Sequence, residues 1–299
     1  MDFRIVDASS KMKQLILNAD DFGMTRGVNE GIIRGHRDGI LTSTTLMANG
    51  PEFDDAVSRA KQNPKLGVGC HLVLVGGPAV APKEKVSSLA GQNGDLPDSL
   101  GSFVARLSAG LIRTKAIDRE MRAQIQKIRA AGIEPTHLDT HKHTHAHPKV
   151  MEVLGRVAKE LGIPRVRKPV ENLRDSWQTT RHENKSHTME LIAAAAARTV
   201  APWFQAVVRK YGLLTPNHFL GLAMTGSLGP AALRRMIDTL SDGSTEIMLH
   251  PGICDDDLAN SGSRLQMHRD LEMSALIDSG VKSALVERDV RLITYRELN

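Results

Sequence analysis

The stretch QLILNADDFGMTRGVNEGIIRGHRDGILTSTTLMA, residues 14–48, reads as one complete strand–helix–strand unit. QLILNA (14–19) is a short apolar run of the kind that forms a buried strand. TRGVNEGIIRGHRDG follows as a helix, with Thr25 placed to cap it. ILTSTTLMA (40–48) is rich in β-branched residues and makes the next strand. Two adjacent acids, Asp20 and Asp21, stand where the first strand ends.

The alternation continues outward from this unit. PEFDDAVSRAKQ (51–62) has Pro51 at the first helical position. LGVGCHLVL (66–74) and THLDTH (136–141) read as strands, and PKVMEVLGRVAKELGI (148–163) as a strong helix. PRVRKPV (164–170), HFLGLAM (218–224), TEIMLHPG (245–252) and RLITYREL (291–298) are further strand candidates, with helices expected over 231–241 and 264–279. About eight strands alternating with helices imply a parallel α/β fold, either a barrel or an open sheet. No G-x-G-x-x-G follows the first strand, which counts against dinucleotide binding. Asp20, Asp21, His71, His141 and His250 all fall near strand C-terminal ends, the rim where barrel enzymes build their sites. No linker and no internal repeat divides residues 1–299, so one domain is expected.

Two stretches interrupt the rhythm. Residues 76–115 are rich in Gly, Pro and Ser with a helical tail, a candidate lid or substrate loop. Residues 187–211, HTMELIAAAAARTVAPWFQAVVRKY, read as a helical insertion interrupted at Pro202. Trp203, Phe204, Val207 and Val208 beside Arg209 and Lys210 suit either packing on the barrel wall or contact with a lipid surface.

Composition limits the alternatives. Hydrophobic residues make up 41% of the 299 and aromatics only 3%, so the core is aliphatic. The formal charge of +5 comes from 39 basic residues against 34 acidic ones. With no long basic block and few aromatics for stacking, no nucleic-acid partner is expected. Cys70 and Cys254 imply no disulfide framework. The opening MDFRIVDASSKMK has no apolar signal core, and no stretch reaches the length of a spanning helix. A cytoplasmic protein, with peripheral contact at the inner membrane through 187–211, is the expectation.

The chemistry concentrates in a few motifs. In THLDTHKHTHAHP (136–148), His137, Asp139, His141, His143 and His145 recur at every second place. Extended chain would set them on one face. Since strands seldom run much beyond about six residues, His143 and His145 fall in the following loop. Imidazoles with a carboxylate suit a divalent metal; a His-rich surface loop is the plainer alternative. In NADDFG (18–23), adjacent carboxylates need a cation or a shared proton, which suggests one metal ligand and one general base, against a turn with two solvated acids. DFG precedes both HRD triplets, so the protein-kinase order fails. His71 in GCHLVL (69–74) has Gly67 and Gly69 on its face, leaving room for a ligand or a close backbone. His250, in HPG after the apolar TEIML, could serve as a general acid. The acids 255–257 could orient it or solvate a loop. Arg269 and Glu272 are spaced as an i,i+3 pair, usually a solvated-face feature. One carboxylate and two imidazoles on a metal leave room for water, which the metal acidifies for attack on a carbonyl.

Together NADDFG, ILTSTTLMANG, GCHLVL, PTHLDTHKHTH and IMLHPG resemble the YdjC-like carbohydrate deacetylases, over about residues 14 to 280. The resemblance implies a deformed, TIM-like (β/α) barrel related to polysaccharide deacetylases, removing acetyl groups from N-acetylated sugars. It implies one divalent metal, Zn or Mg, held by Asp21, His71 and His141, with Asp20 as base and His250 as acid. Asp139, His143, His145 and Arg269 are expected behind these ligands or on the substrate side. Within the family, the APWF-containing insertion and TPNHFLGL (215–222) most resemble the hopanoid-biosynthesis-associated branch, HpnK. That likeness implies N-acetylglucosamine linked to a hopanoid lipid. Lys142 is expected to face away from the metal row. A soluble chitooligosaccharide substrate, a non-catalytic sugar- or lipid-binding barrel, and a phosphoester hydrolase are the competing readings. The last usually needs more bridging carboxylates. A homodimer is a further expectation, carried by no motif.

Overall fold

The computed structural model of the chain describes residues 12–171 and 199–299. β1 (Lys13–Phe22) is buried from Leu15 onward, as a continuous apolar run requires of a central parallel strand. Thr25 accepts a hydrogen bond from the Val28 amide and starts α1 (Arg26–Arg37). β2 (Ser43–Leu46), α2 (Phe53–Gln62) and β3 (Gly67–Leu72) follow. The excursion after β3 carries a 3₁₀ turn (Lys83–Lys85), α3 (Leu100–Ser108) in the helical tail expected of 76–115, and the long α4 (Thr114–Ala130), which no expected element covers. β4 (Leu138–Thr140) leads through a 3₁₀ segment (His141–Ala146) into α5 (Pro148–Glu160). Past residue 198 come α6 (Ala201–Tyr211), β5 (His218–Leu220), α7 (Pro230–Asp238) and β6 (Gly243–Leu249). The chain closes with α8 (Asp256–Asn260), α9 (His268–Ile277), α10 (Ser279–Glu287) and β7 (Val290–Leu292).

The strands form one parallel sheet in the order β4-β3-β2-β1-β6-β5, with β7 also paired to β1. β6 takes one edge of β1 from Lys13 to Ala19. The other edge is shared: β7 pairs with Lys13–Leu15 and β2 with Asn18 onward. The sheet curls into a half-barrel with helices outside it. Its core is aliphatic, as the composition requires, and includes Leu15, Leu17, Val28, Ile32, Leu46 and Ile247.

Several expected strands are shorter than their apolar runs. Residues 164–170 do not form a regular strand: Arg165 and Val166 make single bridges to Leu214 and Leu138, because Pro164 and Pro169 have no N–H for a ladder. After Leu220 the chain leaves the sheet at Gly221, whose φ is +108°, and 295–297 turn as a 3₁₀ segment. The expected insertion over 187–211 begins outside the described residues. Pro202 lies in the first turn of α6 rather than interrupting it. Phe204 and Val207 are buried while Trp203 is 63% exposed. α6 packs on α5 at Gly155, where a Cβ would come within 2.6 Å of Val207. Residues 79–81 are held by α4, whose buried Glu120 accepts the Val80 and Ala81 amides at 2.9 and 3.0 Å. No helix among the described residues is long and apolar enough to cross a membrane.

Candidate active site and metal centre

β1 brings two consecutive carboxylates to one cavity, which an ordinary strand cannot do because neighbouring side chains alternate. The register with β2 shifts between Ala19 and Phe22, and Asp21 has a φ of +69°. This local break turns both Asp20 and Asp21 toward the cavity, which they line. Both are buried to 3% exposure.

His71 comes from β3 and His141 from the end of β4. Asp21 Oδ1 lies 3.5 Å from His71 Nε2 and 3.2 Å from His141 Nδ1, and the two ring nitrogens are 3.3 Å apart. Three donor atoms at these separations fit a cation about 2.1 Å from each, within the usual range for zinc–nitrogen and zinc–oxygen bonds. Asp21 Oδ1 is buried and makes no hydrogen bond among the described residues, so a cation would satisfy an otherwise orphaned atom. On the far side of the His71 ring, Nδ1 is 2.8 Å from Asp139. A carboxylate there fixes the Nδ1–H tautomer and leaves Nε2 facing the other two donors. Burial disfavours the charged imidazole, but Asp139, Asp20 and Asp21 raise the His71 pKa to about 9. A cation on Nε2 therefore displaces a proton.

Asp20 stands beside this triangle and is held by a buried guanidinium. Arg167 donates to its two oxygens at 2.7 and 2.6 Å. The same side chain reaches Asp139 at 2.6 Å and Glu246 at 2.9 Å. Glu246 also accepts from the Tyr295 hydroxyl at 2.5 Å. Burial would raise the Asp20 carboxyl, but Arg167, His71 and His250 hold it well below the carboxylate range. Asp21 is held down likewise against its burial, chiefly by Arg269 and His141.

His250 follows β6. Its Nε2 lies 4.0 Å from Asp20 Oδ2, and its Nδ1 lies 4.0 Å from Glu272. Burial pulls its pKa down to about 4, although Asp20 and Asp21 oppose this, so the ring is neutral at pH 7. Glu272 accepts the His250 amide at 2.5 Å and the Gly226 amide at 2.7 Å. Arg269 donates to Asp21 Oδ2 at 2.6 Å. Arg269 and Glu272 are thus each 1% exposed and brace the site from α9, which corrects their reading as a solvated pair.

The remaining candidates divide. Asp139 stands behind His71. His143 lines the cavity and rests edge-on against Phe219; burial lowers its pKa to about 3. His145 is turned inward onto Thr140 Oγ1 at 2.6 Å. His137 is not in the metal row: it stacks on Tyr295 at 3.6 Å. Gly69 makes room for that ring, which a Cβ there would approach to 2.5 Å, and not for a ligand. Asp255 caps α8 through the Leu258 amide; the carboxylate opposite His250 Nδ1 is Glu272. Lys142, expected to face away, is among the residues lining the cavity.

Sequence reading missed Arg167, Glu246 and Thr45, which lies 3.1 Å from His71 Nδ1 and 3.2 Å from Asp139. Their signal was a charged or polar residue within a run otherwise fit for burial. The site opens into a cavity of about 990 Å³ whose walls include Met24, Met47, Val75, Leu222 and Leu265.

Residues 14–287 match the family described as YdjC-like protein. The chain is 36% identical over 284 residues to a carbohydrate deacetylase of Geobacillus stearothermophilus, covering 94% of this chain and 96% of that one. It is 32% identical over 284 residues to a chitooligosaccharide deacetylase of Yersinia pestis (strain Pestoides F), covering 95% and 98%. A crystal structure of an Enterococcus faecalis V583 protein superposes with a TM-score of 0.77 at 27% identity, covering 95% of this chain and 98% of that one.

Proposed function

The chain belongs to the YdjC-like family, and from that premise we propose that it is a metal-dependent hydrolase that removes the N-acetyl group from an N-acetylated amino sugar. The observation that carries this reading is the triangle of Asp21 Oδ1, His71 Nε2 and His141 Nδ1 with a second carboxylate beside it. Two imidazoles and one carboxylate suit zinc or another first-row ion better than magnesium, which prefers oxygen ligands. Bound there, such an ion supplies Lewis acidity toward the amide carbonyl and lowers the pKa of water.

The chain's own groups do the rest. Asp20, kept ionised by Arg167, takes a proton from the attacking water. The water oxygen bonds to the acetyl carbon, and the carbon–nitrogen bond breaks to give acetate and a free amine. His250 rests neutral, so it delivers a proton to the leaving nitrogen only after gaining one. Asp20, 4.0 Å away, is placed to supply it. Arg269 and Glu272 hold Asp21 and the His250 backbone in position.

The finer reading is N-acetylglucosamine carried on a hopanoid lipid, with peripheral membrane contact beside α6. It is supported by the apolar cavity wall and by exposed Trp203, three residues from Val200 in that wall. A soluble chitooligosaccharide is the second reading, supported by the activity named for the Yersinia pestis relative. Acetate release from an N-acetylglucosaminyl hopanoid and from diacetylchitobiose separates them. Release from the hopanoid alone supports the lipid, and release from chitobiose alone removes it.

A further inference from the structure

Among the described residues, four non-glycine positions have positive φ, and three of them line the candidate cavity: Asp21 at +69°, Lys142 at +54° and His143 at +50°. Left-handed backbone is sterically costly for a residue with a Cβ, though Asp, Asn and His tolerate it better than most. Asp21 and His143 belong to the tolerant types. Lys142 does not, and glycine would make the same turn at lower cost. Strain of this sort persists at functional sites where the side chain has work to do.

The turn after His141 leaves Lys142 exposed while lining the cavity. The cavity's carboxylates already have cations: Asp20 has Arg167 and Asp21 has Arg269. Lys142 makes no hydrogen bond or ion pair among the described residues, and it is not among those with further partners. A flexible ammonium with three free donors, one residue from a candidate metal ligand, is suited to the oxygens of a sugar.

We propose that Lys142 is a substrate-binding residue whose ammonium donates to a sugar oxygen, and that the left-handed turn at 142–143 carries it to the cavity. This rests on the amino-sugar reading above. A hydrogen bond from a charged donor corresponds to about a 10- to 100-fold change in affinity.

The test uses zinc-loaded protein and octyl N-acetyl-β-glucosaminide, which offers both sugar and apolar tail. Calorimetric Kd is measured in an Asp20→Asn background, so that the glycoside is not consumed, with Lys142→Gly, Lys142→Met and Lys142→Arg added in turn. Zinc content and Tm are measured alongside. Lys142→Gly and Lys142→Met should each weaken binding 10- to 100-fold, and Lys142→Arg should stay within about 3-fold. Zinc content should hold, and Lys142→Gly should be at least as stable as its parent because glycine relieves the turn. If Lys142→Gly binds as tightly as its parent, the lysine is a turn residue only and the proposal is overturned. Binding by the otherwise wild-type chain without acetate release would sink the deacetylase reading and leave the Lys142 contact standing. No binding at all would overturn both.

Discussion

Asp20 and Asp21 are neighbours in the chain with opposite surroundings. Asp21 faces two imidazoles and keeps one oxygen without a hydrogen bond; Asp20 is clamped by a guanidinium. Asp20→Asn should therefore retain metal, because the triangle is intact, and lose turnover by about 10²- to 10⁴-fold, the usual worth of a general base. Metal analysis beside steady-state kinetics checks it; equal loss of metal would show that the two acids have exchanged roles. His141→Ala removes one of three donors and should empty the site. Full occupancy in that variant would take His141 out of the ligand set.

Elements meet at the site through small residues. α1 turns Gly27 and Gly31 toward the segment after β6, and Gly35 toward Leu276 of α9. A Cβ on Gly31 would fall 2.4 Å from Gly252 Cα, and one on Gly27 would fall 2.3 Å from the Ile253 carbonyl oxygen. Backbone cannot yield as a side-chain tip can, so Gly31→Ala should push the 250–252 turn away from α1 and carry His250 with it. A loss of about 1–3 kcal/mol in stability, with kcat lowered and zinc content kept, is the expected outcome in denaturant melts and kinetics. Unchanged kcat would mean that the turn does not set His250.

At this scale the sequence was legible where patterns are local. The strand–helix–strand unit at 14–48, the cap at Thr25 and the turn after the His-rich strand follow from periodicity and side-chain chemistry. The bend at Asp21 was not legible, because nothing local marks a strand as breaking its alternation. Neither was the failure of 164–170 to become a strand, although its two prolines were visible. His137 shares the two-residue spacing of Asp139 and His141, yet spacing does not reveal that Tyr295, distant in sequence, occupies its other face.

Across the whole molecule the site rests on a buried network of charges drawn from distant segments. Arg167 joins Asp20, Asp139 and Glu246, with Tyr295 beyond. No sequence window contains these partners together, which is why Arg167 escaped sequence reading although its ligand-bearing neighbours did not. Removing it leaves three buried carboxylates without their cation, so Arg167→Met should cost about 3–5 kcal/mol, read as a lower denaturation midpoint. A loss under about 1 kcal/mol would show that water or protons replace the guanidinium easily.

Two buried glutamates should each contribute less stability as pH rises. Burial raises Glu272 to about 7 against the His250 and Gly226 amides, and Glu246 to about 7 against Arg167. Unfolded, each titrates near its ordinary 4.5. Between these values the folded chain holds protons that the unfolded chain has released. Their contribution is therefore full below pH 4.5 and is lost as pH rises through 7. The depressed Asp20 and Asp21 act below this window. His250 and His143, held neutral by pKa values of about 4 and about 3 against an ordinary 6.5, act in the opposite sense below pH 6.5. Glu272 is therefore read by difference: the Tm of metal-free Glu272→Gln minus that of the unsubstituted protein should rise from pH 5 to 7.5, and a difference that falls over that range would contradict the assignment.

The central claim is a metal-dependent amide hydrolysis at the triangle of Asp21, His71 and His141. The most direct measurement is acetate release from diacetylchitobiose and from an N-acetylglucosaminyl hopanoid by chelated protein before and after zinc is restored. Release from at least one substrate, abolished by the chelator and recovered in proportion to zinc bound, is the expected result. Release that continues at full rate with the metal removed, or none from either substrate with one zinc bound per chain, would contradict it.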